Sequence, residues 1–333
     1  MSAMNPMSRP SLREETACAL CGRREYSVVA TRDRNGRPLR TVMCDVCGLV
    51  WTNPRPSGDD IDRYYASFYR VDYKKSREPA VRKVLRGVLG AEERRRELLP
   101  VLRPGSRVLD VGCGAGEFVY LLRQHGLDAS GIEPGEEYAD FSRRGLRIPI
   151  QTATVDTAVV EPGSQDVVTM FHMLEHVADP RRILATVRGW LREPDGVLIV
   201  EVPNVDSTAQ APAHRFHFAH FYSFNAATLS ALGESVGFSA VRCQATSDGG
   251  NVTCVFRRGA GEPRAVEGLP ENVRGTREVL RRHTALRHYL RATPYARVLD
   301  RLARRRRENR LLRKLPSVDA VIAWAAGARD LGR

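Results

Sequence analysis

Three glycines at alternate positions constrain this chain more than any other feature. Gly112, Gly114 and Gly116 lie in VLDVGCGAGEF, residues 108–118, between the apolar pair Val108-Leu109 and the amphipathic run Phe118-Val119-Tyr120-Leu121-Leu122. The pattern predicts a buried strand, a tight turn and the start of a helix. Glycine is required where the backbone takes φ > 0 or where a ligand comes too close for a Cβ. The loop is therefore a ligand cradle at the carboxyl end of a first strand, where open α/β sheets bind their ligands. The dinucleotide fingerprint is G-x-G-x-x-G, whereas the spacing here is G-x-G-x-G with Asp110 before it and Glu117 after it. A phosphate would meet two carboxylates instead of bare N–H groups. The loop suits a ligand that carries an amine and a sulfonium.

A second strand, Ala129-Ser130-Gly131-Ile132, ends at Glu133, 23 residues after Asp110. An acid there accepts both ribose hydroxyls in nucleotide-binding units of this type, the alternative being a surface acid beside the Glu133-Pro134-Gly135 turn. Further on come a strand at 166–171, the segment Leu174-Glu175-His176-Val177, a helix opened by Asp179-Pro180, and a strand at 197–202.

Asp110-x-Gly112-x-Gly114-x-Gly116 resembles motif I of the class I S-adenosylmethionine (SAM) methyltransferases. The later segments, in the same order, resemble the branch that includes ubiquinone-biosynthesis O-methyltransferases. The resemblance covers residues 100–258. It implies an α/β fold, with a Rossmann-like seven-stranded methyltransferase sheet and helices on both faces. It implies SAM as cofactor, bound by Asp110, Gly112, Cys113, Gly114, Gly116, Glu133, Phe171 and His172. Cys113 itself reads as a small residue suited to a crowded turn rather than as a nucleophile. The L-E-H-V segment implies that His176 lies beside the methyl group. A divalent ion used by related ubiquinone-pathway enzymes would fall at His172, Glu175 and His176, but the first acid of that pattern is a histidine here.

Cys18-x-x-Cys21-Gly22 and Cys44-x-x-Cys47-Gly48 are two knuckles with 22 residues between the pairs. Four thiolates complete a tetrahedral structural Zn²⁺ site, and Asn35-Gly36 marks a hairpin between them. Disulfides are disfavoured in an intracellular chain, and a redox C-x-x-C needs only one pair. The site is closed, so its expected role is structural, or it helps to cover the substrate. Cys243 and Cys254 fall on expected strands and read as core.

The resulting organisation is a disordered N-terminus at 1–15, a small zinc ribbon at 16–57, connecting helices at 58–105 that include a Tyr-rich helix at 61–69, a SAM-binding domain at 106–258, and a basic helical C-terminal extension at 259–333. The net charge of +13 is uneven, because residues 271–333 hold 17 Lys and Arg against 6 Asp and Glu. The rest of the chain is nearly neutral. Residues 1–15 are polar and show no secretory signal, and the longest apolar run, 318–328, is too short to span a bilayer. The expected location is the cytoplasm, with peripheral contact at the inner membrane face as a role for the tail. The tail reads as a solvated helix, an anionic-membrane contact or a nucleic-acid contact. Arg304 to Arg307 wrap all sides of a helix, which makes it a weak amphipathic anchor.

Methyl transfer from a sulfonium is an in-line displacement, and a hydroxyl acceptor must lose a proton. The candidate bases are His176, and His217 and His220 in the aromatic-rich segment 214–224. Three histidines there recur every three residues, without a zincin signature. The expected function is SAM-dependent methyl transfer to a small-molecule, glycan or lipid-linked acceptor, at oxygen. Two alternatives stand beside it. An RNA-directed methyltransferase would use the knuckles and the tail, but the 166–173 segment lacks the Asn/Asp-Pro-Pro-aromatic signature and the core is nearly neutral. A non-catalytic zinc-ribbon and Rossmann scaffold is opposed by the intact glycine loop. Oligomeric state and the individual acceptor are not legible in the chain.

Overall fold

The computed structural model describes residues 12–57, 80–259 and 261–327. The expected helix at 61–69 and most of the expected disordered N-terminus lie outside the described residues. Glu14 is described, and its backbone pairs with Arg55.

Two sheets form. The smaller begins with β1 (Tyr26–Arg32), β2 (Pro38–Cys44) and β3 (Val50–Thr52). The larger takes β4 (Arg107–Val111), β5 (Asp128–Ile132), β6 (Ile150–Gln151), β7 (Val167–Phe171), β8 (Val197–Pro203), β10 (Ser239–Ala245) and β11 (Asn251–Arg257). Its order is β10-β11-β8-β7-β4-β5-β6. The five strands from β8 to β6 are parallel, β11 runs antiparallel to β8, and β10, antiparallel to β11, runs in the direction of the five. A strand switch at β4 leaves the crevice at its carboxyl end, beside the glycine loop.

The strand alternation decides what packs on each face. On β4, Val108 joins one apolar cluster while Leu109 and Val111 join the other. On β8, Ile199 points to the first and Leu198, Val200 and Val202 to the second. The first face is covered by α1 (Val81–Leu98), α2 (Glu117–Gln124) and α9 (Val318–Gly327), through Val84, Leu85, Val88, Phe118, Leu122 and Val321. The other is covered by α4 (Pro180–Trp190) and α5 (Ala226–Glu234), through Ile183, Leu184, Val187, Leu229 and Leu232. Asp179 caps α4 by accepting from the Arg182 N–H, with Pro180 at the first turn. Asn225 caps α5 in a reciprocal box with Thr228. A short helix α3 (Glu136–Phe141) follows β5.

The ribbon is not a separate appendage. Its fourth strand is β9 (Tyr222–Ser223), contributed by the segment between β8 and α5, which pairs antiparallel with β3. The C-terminal extension forms α6 (Pro270–Arg282), α7 (Ala285–Tyr289), α8 (Thr293–Lys314) and α9. Pro294 lies in the first turn of α8, where a missing N–H costs nothing. Cys243 and Cys254 are not merely core residues. They face each other across β10 and β11 and are joined as a disulfide. Among the described residues no helix is long and apolar enough to cross a membrane.

Candidate active site

A cavity of about 730 Å³ opens at the carboxyl ends of β4, β5, β7 and β8. At one end lie Gly112, Gly114, Ile132 and Glu133, and at the other Glu175, His176, His217 and His220. The two ends come from widely separated parts of the sequence.

The glycine end is built by backbone geometry. Gly112 and Gly114 have φ of 77° and 61°, a region that side chains with a Cβ rarely adopt. The Gly112 and Cys113 N–H groups donate to the Ile132 carbonyl at 2.8 and 3.1 Å, tying the loop to the end of β5. The Glu133 carboxylate is 3% exposed and bridges the loop and the next turn, accepting from the Gly114 N–H and the Gly135 N–H, each at 3.0 Å. This fixes its direction at the cavity wall.

Four residues expected to touch the cofactor do not line the cavity. Asp110 sits behind the loop, accepting from the Thr169 hydroxyl at 2.7 Å. Burial raises its pKa to about 6, only partly offset by that hydrogen bond. The Cys113 sulfur points away, into the space that Gly131 leaves open; a Cβ at Gly131 would stand 2.6 Å from it. Gly116 caps α2 and lies against Ile148 and Ser142. The Phe171 ring packs edge-on to Phe118 and carries the Arg94 guanidinium 4.1 Å above its centre. The alternation of β7 turns Phe171 to the α1 side.

His172 does line the cavity, with an unexpected charge state. Its φ is 52°, a left-handed conformation for a residue with a Cβ. The turn aims its Nε2 at Glu201, 3.1 Å away, and its Nδ1 at Glu175, 3.6 Å away. Burial disfavours its charge, but the two carboxylates outweigh burial and raise its pKa to about 9. Glu201 is held at about 2, against its burial, by His172 and Arg94.

Glu175 is the residue whose importance the sequence pattern understated. It is 1% exposed, and neither carboxylate oxygen receives a hydrogen bond among the described residues. Burial would raise its pKa, yet the His176, His172 and His220 rings hold it down to about 2. Its Oε1 lies 3.7 Å from His176 Nε2. The adjacency of Glu175 and His176 in the chain was the available signal.

The three candidate histidines are brought together. The His176 and His220 ring centres are 4.9 Å apart, and those of His217 and His220 are 5.4 Å apart. One residue, Ala219, sets two tautomers. His176 Nδ1 donates to the Ala219 carbonyl at 2.6 Å, which leaves Nε2 as its basic nitrogen. His217 Nδ1 accepts from the Ala219 N–H at 3.1 Å, which puts its proton on Nε2. His220 is pushed well below the usual histidine pKa, first by burial and then by His176. The atoms that gather as a candidate ligand set are those of Glu175, His176 and His220, all within 4.8 Å of one another. His172, the expected third member, is engaged by Glu201 instead.

The ribbon supports this end of the cavity. The Thr52 N–H donates to the Phe221 carbonyl at 2.8 Å, and the Arg34 N–H to that of Phe216 at 2.9 Å. Arg34, from the turn after β1, reaches the cavity wall. In the knuckles, Cys18 and Cys47 sulfurs are 3.5 Å apart, as are those of Cys21 and Cys44, and all four lie within 4.8 Å of one another. A tetrahedral ion with Zn–S bonds of about 2.3 Å needs sulfurs roughly 3.8 Å apart. The four residues fit such an ion, and 3.5 Å is far too long for a disulfide.

Comparison with known proteins adds to this geometry. Residues 83–242 match the family model described as a methyltransferase domain. A ubiquinone biosynthesis O-methyltransferase of Xanthomonas campestris pv. campestris is 35% identical over 119 residues, covering 34% of this chain and 49% of that protein. Another, from Hahella chejuensis, is 39% identical over 88 residues, covering 25% of this chain and 37% of that protein. Over residues 83–242 the chain is similar to methyltransferases. The chain spans about half the length, or less, of the curated relatives it matches. The methyltransferase domain also has solved structural neighbours. The Burkholderia thailandensis 1,6-didemethyltoxoflavin-N1-methyltransferase has a TM-score of 0.46 at 18% identity, covering 66% of this chain and 96% of that one.

Proposed function

We propose that the protein transfers a methyl group from SAM to an oxygen of a small-molecule, glycan or lipid-linked acceptor, and that His176 is the base. The observation that carries this reading is the single cavity with the glycine loop and Glu133 at one end and the Glu175–His176 pair at the other. When bound, SAM supplies an electrophilic methyl group on a sulfonium. Gly112 and Gly114 leave room for its methionine portion, and Glu133 accepts from the ribose hydroxyls. Asp110 supports the loop from behind. The acceptor hydroxyl donates to His176 Nε2. Glu175, whose Oε1 lies 3.7 Å from that same Nε2, stabilises the imidazolium that forms. His220 stays neutral against that pair, and His217, with its proton on Nε2, donates toward the acceptor instead of deprotonating it. Cys18, Cys21, Cys44 and Cys47 hold one structural Zn²⁺, which keeps the ribbon folded against the histidine segment.

The ubiquinone-pathway relatives carry O-methyltransferase in their names, which supports oxygen as the acceptor atom. The test is transfer of labelled methyl from SAM into fractionated cell extract. His176→Gln should lower kcat by roughly 10²–10⁴-fold with SAM affinity retained. Near wild-type turnover in that variant would assign proton removal to another group.

A further inference from the structure

The C-terminal extension carries an apolar face that covers nothing among the described residues. Leu286, Tyr289, Leu290, Tyr295, Leu299 and Leu302 are 48–77% exposed, and Val298 between them is 49% exposed. Eleven large hydrophobic residues stand out in this way among the described residues, and seven of them fall within residues 286–302. Scattered singly they would need no explanation, but a concentration of this kind marks a contact surface.

The spacing makes it one surface. Residues 295, 298, 299 and 302 follow i, i+3, i+4, i+7 on α8, and 286, 289 and 290 follow i, i+3, i+4 on α7. The Tyr295 hydroxyl donates to the Tyr289 carbonyl at 2.9 Å and joins the two helices. From its sequence the tail reads as a weak amphipathic anchor. The arginines at 304–307 do surround the helix, but the apolar stripe occupies the turns before them. The same face then continues into Arg305, Arg306 and Arg310, and Arg287 and Arg291 flank it on the α7 side. Residues 286–310 hold nine arginines and two acids, and one of those acids, Glu308, is 1% exposed and paired with Arg82 and Arg86.

We infer that this α7–α8 face docks on an anionic lipid bilayer. Aliphatic side chains in the first two turns enter the boundary between headgroups and acyl chains, tyrosines sit at its level, and the arginines meet the anionic headgroups. A nucleic acid would satisfy the arginines but leave Leu286, Leu290, Leu299 and Leu302 in water. The face lies next to the cavity. Arg297 of α8 donates to the Ala209 and Asp248 carbonyls, and α7 packs on the turn at 212–214, whose His214 lines the cavity. Docking would bring the cavity mouth to the membrane surface, where an acceptor with a lipid tail resides. That consequence rests on the proposed function, whereas the docking itself does not.

The test is flotation of the full chain with vesicles of phosphatidylcholine alone or phosphatidylcholine mixed with phosphatidylglycerol. The wild type should float with the mixed vesicles, remain behind with the neutral ones, and be released by high salt. A Leu299→Asp, Leu302→Asp variant should lose binding by roughly tenfold or more, with SAM binding, measured in parallel, intact. An Arg305→Glu, Arg306→Glu variant should lose it as well. No flotation of the wild type, or equal flotation of wild type and Leu variant, would overturn docking by this face. So would a wild-type dimer in sedimentation that the Leu variant dissociates, since a second copy would then cover the face. Because no acceptor is used, failure here leaves the methyl-transfer reading standing, and failure of that reading leaves this one standing.

Discussion

The charge on His172 has a measurable consequence at the scale of one residue. Its pKa is raised from 6.5 to about 9 by Glu201 and Glu175. A raised histidine pKa contributes stability that is fully present below the unfolded value and lost as pH rises through the folded one. The His172→Gln variant should therefore lose most stability below pH 6.5, and its deficit should shrink toward pH 9 in urea unfolding curves. Glu175 works in the opposite direction. Its pKa is lowered from 4.5 to about 2, so its contribution is present above pH 4.5 and lost as pH falls toward 2. A pH-independent difference for His172→Gln would show that the ring carries no charge. Gly114 is the other decisive position. With φ at 61° and its backbone on the cavity wall, Gly114→Val adds both strain and a branched side chain where SAM is proposed to lie. Calorimetry should find SAM binding abolished while circular dichroism stays near wild type.

Among the elements, the two-residue strand β9 has the largest reach. It extends the ribbon sheet from within the methyltransferase domain, immediately after His220. The sequence places the knuckles outside the Rossmann core, with a structural role or a part in covering the substrate. The pairing of β3 with β9 ties them to the histidine half of the site. Cys44→Ser should remove the proposed zinc, about one equivalent by metal analysis. SAM affinity should change little, because Gly112, Gly114 and Glu133 are held by β4 and β5. Turnover should fall, because the segment carrying His217 and His220 loses its partner strand. Full turnover in a zinc-free Cys44→Ser protein would separate ribbon from catalysis.

The whole molecule is held together by its last helices as much as by its sheet. Asn272 of α6 donates to the Cys47 carbonyl at 2.8 Å and accepts from Asn225, the cap of α5, at 2.7 Å. Gly48 makes room for it, since a Cβ there would stand 2.6 Å from the Asn272 amide nitrogen. One side chain thus joins the extension, the ribbon and the central domain. Asn272→Ala should cost about 1–3 kcal/mol by taking the donor from the Cys47 carbonyl, while Asn225 keeps Asp206 and Thr276. Thermal unfolding followed at Trp51, in the ribbon core, should report the loss first. At the other end Glu308, buried between Arg82 and Arg86, fastens α8 to α1. The tail is therefore docked on one side and exposed on the other, and only its exposed side remains for a partner.

What the sequence determined by itself was everything written in short-range pattern. The apolar run, three glycines and amphipathic run around Gly112 specify a strand, a turn and a helix through steric and periodic rules that act within a dozen residues. The strands near 239–245 and 251–257, the cap at Asp179 and the two cysteine knuckles are legible for the same reason. Tertiary structure alone decided which side chains of those motifs face the cavity. Strand alternation sent Phe171 toward α1, and the glycine turn sent Cys113 toward Gly131. It also decided that Glu175, His176 and His220 meet, that a ribbon strand finds its partner some 170 positions away in the chain, and that the arginine-rich tail keeps an apolar face. Such contacts form where distant apolar surfaces leave water together, and no local pattern records which surfaces those will be.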